Sequence, residues 1–107
     1  MASVPRPSYT LEEEACIIAW LDYCAETEND YEQTITPELQ ALVGSKREIT
    51  YDKIRSKIRD LLRTWGMNKV SVKDLRNNGT KCITESGGRI PPETAREMQR
   101  LRALWDG

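Results

Sequence analysis

TYDKIRSKIRDLLRTWG, residues 50–66, is the stretch from which the fold of this chain is read. Tyr51, Ile54, Ile58, Leu61, Leu62 and Trp65 recur at the three- and four-residue steps that line one face of an α-helix. Thr50 is a cap ahead of them and Gly66 a terminator behind them, so an amphipathic helix with these side chains in a core is predicted between the two. On a wheel of about 100° per residue, Arg55, Arg59 and Arg63 form a stripe along one border of the apolar arc, and Lys53 and Lys57 lie along the other. Asp52, Ser56 and Asp60 fill the outer ridge between the two cationic stripes.

Upstream, Thr10 with Glu13 three residues later is a capping-box pattern, and Glu12, Glu13 and Glu14 place negative charge where the helix dipole is positive. A first helix is predicted from there, with Leu11, Ala15, Ile18, Leu21 and Ala25 as a core stripe. Trp20 and Cys16 fall on the opposite side of it. A helix apolar nearly all round needs two different elements to cover it. Tyr31, Ile35, Leu39 and Leu42 continue the helical period, but Pro37 argues against an undisturbed run. The expectation is a short helix capped by Thr36, with Pro37 in its first turn, ending at Gly44. The loop from Gly44 to Ile49 is basic, through Lys46 and Arg47.

Downstream, Ser71 precedes a helical turn carrying Val72 and Leu75, stopped by Asn77, Asn78 and Gly79. After a loop with Gly87 and Gly88, Pro91 and Pro92 open a last helix whose Thr94, Met98, Leu101 and Trp105 share a face. That helix is the expected second cover over Trp20 and Cys16. Residues 1–8, with Pro5 and Pro7 around Arg6, read as a flexible arm. The predicted organisation is an arm over 1–8, a three-helix domain over 9–66, and a helical extension over 67–107 packed on the first helix. The fold class is all-α.

A chain of 107 residues has room for one domain, and with 38% apolar and 31% charged residues its core is thin. The longest apolar run, Ala15 to Leu21, is far short of the roughly 20 residues that span a bilayer. No secretory leader is visible, so no membrane partner is expected. There is no histidine, which removes the commonest general base and the usual triads. Cys16, Cys24 and Cys82 have neither C-x-x-C spacing nor an even count, so they read as reduced thiols. No metal or other cofactor is expected, and no nucleophile has a base beside it. The chain reads as a non-enzyme.

The net charge of −1 hides a division. Residues 1–48 carry three basic against ten acidic side chains, a net −7, while residues 49–81 carry nine against three, a net +6; the remainder balances. This pattern suits one element that meets a polyanion and another that stays away from it. It equally suits helices of opposite sign packed side by side. The wheel leaves the same two readings open. Two cationic rails around a ridge of short side chains can grip the backbones of a major groove while Arg55, Ser56 and Arg59 approach base edges. Alternatively, Asp52 pairs with Arg55 or Ser56, and Asp60 with Lys57 or Arg63, on a solvated face.

Two short motifs carry a resemblance. Tyr9-Thr10-Leu11-Glu12-Glu13-Glu14 looks like the W-[ST]-x-E-E-[DE] start of Myb/SANT domains, with tyrosine in place of the first tryptophan. Thr50 to Ile58 is similar to the T-x-x-x-[VI]-x-x-[KR]-[WL] opening of their third helix. The match spans about residues 9–66 and looks most like the Myb-like domains of fungal nuclear proteins. The resemblance implies a helix-turn-helix whose third helix enters the major groove of double-stranded DNA. Arg55, Ser56 and Arg59 then correspond to base-contacting positions, and Lys53, Lys57 and Arg63, with Lys46 and Arg47 of the preceding loop, serve the phosphates. It also implies that Glu13 or Glu14 pairs with a basic residue of the third helix. A nuclear, chromatin-associated role in transcription regulation follows, with a dimer or larger complex supplying specificity that a lone module lacks. The alternative, suited to a pI near 5.5, is a SANT-type module that binds histone tails or other chromatin proteins and not DNA.

Overall fold

A computed structural model describes residues 9–67 and 69–107, and the backbone alone of Lys46. The proposed arm with Arg6, and the side chain of Lys46, lie outside the described residues. The order of elements is α1 (Leu11–Thr27), α2 (Tyr31–Val43), a 3₁₀ turn (Gly44–Lys46), α3 (Tyr51–Thr64), α4 (Val72–Asn78), α5 (Lys81–Glu85) and α6 (Pro92–Asp106). No strand occurs among the described residues. The radius of gyration, 13.7 Å, is close to the roughly 13 Å of a compact chain of this length.

The first helix is the axis of the molecule. Thr10 Oγ1 accepts from Glu13 N at 3.1 Å, and a Glu13 carboxylate oxygen accepts from Thr10 N at 3.0 Å, completing the capping box. All seven residues from Ala15 to Leu21 are at most 8% exposed, because α2, α3, α4 and α6 pack around α1. Each buried isoleucine or leucine there contributes roughly 1.5–3 kcal/mol. Leu11 and Ala25, expected in the stripe, are exposed: they sit in the end turns, beyond the covering helices. Trp20 joins two of the covers. Its Nε1 donates to Thr34 Oγ1 of α2 at 2.8 Å, and its ring meets the edge of Trp105 of α6 at 4.8 Å.

The second helix corrects the reading of Pro37. It is one helix from Tyr31 to Val43, capped by Asp30, whose carboxylate accepts from Gln33 N at 3.0 Å, and not a short helix starting at Thr36. Tyr31 anchors the extra turns: its ring is buried and its hydroxyl donates to Ile17 O at 2.8 Å. Proline removes one donor, but Pro37 and Gln33 are both exposed, so water can satisfy the Gln33 carbonyl that Pro37 leaves open.

Ile54, Ile58, Leu61 and Leu62 bury the apolar face of α3, with Tyr51 and Trp65 half-buried at its ends. Gly66 stops the helix at φ 78°, and Met67 N donates back to Leu62 O at 2.8 Å. A second reciprocal cap, Ser71 with Asp74, starts α4. The turn into α5 is fixed from α1, where the Asp22 carboxylate accepts from Thr80 N and Thr80 Oγ1, each at 2.7 Å. Gly79 is required there, since it has φ 75° and a Cβ would lie 2.5 Å from Asp22 Oδ1. The short α5 has no sequence signal of its own. Thr94, Met98 and Leu101 of α6 are buried, and α6 lies against α1 through these side chains, Trp105 and two arginines. Arg102 holds the Glu26 carboxylate with two bonds of 2.8 and 2.9 Å, and Arg100 reaches Glu12.

Candidate nucleic-acid interface

What aims α3 is a glutamine. Gln40 Nε2 donates to Gly44 O and Arg47 O, each at 2.7 Å, and Gln40 Oε1 accepts from Ile49 N at 2.9 Å, so one side chain shapes the whole turn between α2 and α3. Ile49 is buried behind it. Thr50 then caps α3, accepting from Lys53 N at 3.3 Å. With the apolar face of α3 fixed inward, its polar face has one possible orientation.

The two cationic stripes meet different fates. Lys57 is drawn toward α1, with Nζ 2.9 Å from a Glu14 carboxylate oxygen and 5.6 Å from the centre of the Tyr9 ring. Arg47 pairs with Glu13, and its guanidinium lies 5.0 Å from the centre of the same Tyr9 ring. Together these groups brace the start of α1 against α3 and its preceding turn. Lys53 is exposed and donates to Glu48 O at 3.1 Å. On the opposite border, Arg55 is half-buried and 3.3 Å from Asp52, and Arg63 is exposed and 3.8 Å from Asp60. Such short-range surface pairs are worth about 0.3–0.5 kcal/mol and leave both arginines usable by a ligand. Arg59 and Ser56 are exposed, and Arg59 has no ion-pair partner among the described residues. Neither α6 nor the glutamates of α1 cover the outer ridge.

Sequence reasoning missed the contribution of α4. Arg76 lies 3.2 Å from Asp30 and 3.5 Å from Glu32 of α2, and 5.8 Å over the Tyr51 ring. Lys73 stands beside it, and between α3 and α4 runs an open groove of about 1040 Å³ that Arg55, Arg59 and Arg63 line from one side and Lys73 and Arg76 from the other. The net +6 of residues 49–81 held the signal for these two side chains, but without the path of the chain after Gly66 nothing placed them beside α3.

The charge division is cancelled only in part. Glu12, Glu13, Glu14 and Glu26 of α1 pair with cations from other parts of the chain, as do Asp30 and Glu32 at the start of α2, but of these cations only Lys57 and Arg76 come from the basic segment 49–81. Burial pushes all three thiols up, Cys16 to about 12, so each stays protonated and weakly nucleophilic at neutral pH. Among the described residues no cluster of three His, Cys, Asp or Glu side chains is arranged to hold a metal ion. Among the described residues no helix is long and apolar enough to cross a membrane. No protein-family model, no curated protein and no solved structure matches the chain.

Proposed function

We propose that the chain is a Myb-like, non-catalytic module that binds double-stranded DNA in chromatin through the outer face of α3. The observation that carries this reading is the open ridge: Ser56 and Arg59 are exposed at the centre of α3, with Lys53 and Arg63 exposed on either side, while the apolar face is locked inward. The pairing of Glu14 with Lys57, which the resemblance to Myb domains implies, supports it as well. In this reading Arg55, Ser56 and Arg59 face base edges, and Lys53 and Arg63 neutralise phosphates. Lys57 and Arg47 act behind them by holding α1 to α3, a positioning part and not a phosphate contact.

The test is binding of the full chain to a labelled random duplex, titrated with salt. The two phosphates neutralised by Lys53 and Arg63 give a slope of log K on log salt of about −1.8, and Lys53→Ala removes about 0.9 of it. Arg59→Ala weakens binding by about 1–3 kcal/mol and relaxes base preference. Binding that ignores both substitutions refutes the assignment.

One observation favours a second reading. Three of the five α3 cations, Arg55, Lys57 and Arg63, already face a carboxylate, which suits a SANT-type module that contacts histones or another chromatin protein. Absence of any duplex binding at low salt, with a protein partner retained, decides for it.

A further inference from the structure

The groove between α3 and α4 shares Arg55, Arg59 and Arg63 with the reading above, but its α4 wall and its apolar groups have no part in that reading. A duplex is read by a protruding helix, whereas this feature is concave and lies beside the ridge. It is also too large for a single phosphate. Its volume of about 1040 Å³ is at the upper end of the roughly 300–1,000 Å³ typical of pockets that enclose organic ligands. The apolar part of its floor is Tyr51 and Val72, both half-buried, over the buried Leu62, Met67 and Val70.

The charge on its walls is discrete. Five cations face three carboxylates, Asp30, Glu32 and Asp52, leaving a net +2. Arg76 answers Asp30 and Glu32, and Arg55 answers Asp52. Arg63 pairs with Asp60 outside the groove, which leaves Arg59 and Lys73 as the groove cations without an ion-pair partner among the described residues.

We propose that this groove docks an acidic peptide segment of a partner protein, one that carries apolar side chains between its carboxylates. The carboxylates bridge Arg59 and Lys73. The apolar side chains rest on Tyr51 and Val72. A polyanion such as DNA fits less well, because it brings no apolar group for the floor and meets the carboxylates at the α2 end. The proposal stands whether or not α3 binds DNA. Where both bind, they compete for Arg59.

The probe is a fluorescein-labelled octapeptide of alternating glutamate and leucine, compared with versions carrying serine for leucine and glutamine for glutamate. Binding is read by anisotropy, and its position by methyl and amide NMR shifts of the full chain. The expected result is binding about tenfold tighter than for either altered peptide, with the shifts centred on Met67, Val70 and Val72. Arg59→Glu and Lys73→Glu, both at exposed positions, each weaken it about tenfold with helicity unchanged, while Lys81→Glu has no effect. Equal binding of the serine peptide overturns the proposal. So do shifts centred on Ser56 and Asp60, or a groove that responds to a DNA duplex and not to the peptide.

Discussion

Replacing Lys57 by methionine separates the two tasks that this side chain can have. The ammonium is 2.9 Å from the Glu14 carboxylate, with side chains 21% and 22% exposed, so the pair is mostly shielded from solvent. At an effective dielectric of about 20 the gross attraction is about 6 kcal/mol, and desolvation of the two ions offsets most of it. The net coupling is then about 1 kcal/mol. The Tyr9 ring, 5.6 Å from Nζ, adds about 0.5 kcal/mol. Methionine keeps the aliphatic stem, so Lys57→Met is expected to destabilise by about 1.5 kcal/mol, lowering the melting temperature by about 6–10 °C for a domain of this size. Thermal unfolding followed by circular dichroism measures this, and a double-mutant cycle with Glu14→Gln isolates the coupling. In the same variant the salt dependence of duplex binding stays as in the parent. A coupling below about 0.3 kcal/mol, together with a salt slope reduced by about 0.9, refutes the brace and returns Lys57 to the phosphates.

Gly88→Ala is expected to destabilise by about 1–3 kcal/mol, because its Cβ would lie 1.7 Å from Met67 Sδ; adding Met67→Ala makes room, so in urea unfolding the double variant loses less than the sum of the two singles. Tyr51→Phe removes a buried hydroxyl that has no partner among the described residues and is expected to raise stability by about 1 kcal/mol, against the usual sign for a buried tyrosine. Stability against pH is expected to be flat from about pH 5 to 8, since no histidine is present. In acid, the bond from Arg102 holds the Glu26 carboxyl below its usual range, so its contribution is present above about pH 4.3 and is lost as pH falls through the lowered value. In base the sign is the opposite. Burial raises the Cys16 thiol to about 12 while the unfolded thiol ionises near 8.5, so stability is lost progressively from about pH 8.5 toward 12. Melting curves across this range check both limbs, and a transition between pH 5 and 8 contradicts them.

The local signals of the sequence and the structure agree where the cause is local. Thr10 with Glu13, and Ser71 ahead of Val72, announce helix starts through side chains three residues from the groups they satisfy. The period of Ile54, Ile58, Leu61 and Leu62 gives the inward face of α3, since burial of an amphipathic helix admits one rotation. Pro37 misled for an equally physical reason. Its local cost was legible, but the compensation came from Tyr31 reaching Ile17 across the helix pair, which no local rule contains.

The sequence by itself determined that the chain is helical, that α3 turns its arginines and lysines away from a core, and that no histidine-based chemistry exists here. Only the tertiary structure decided which cations stay open. Lys57 and Arg59 are two residues apart and chemically similar, yet one meets Glu14 and the other meets solvent. The groove beside α3 likewise exists only because the chain after Gly66 returns to place Lys73 and Arg76 opposite Arg59. Periodicity fixes how a helix faces its own core, whereas the pairing of charges depends on distances between elements far apart along the chain.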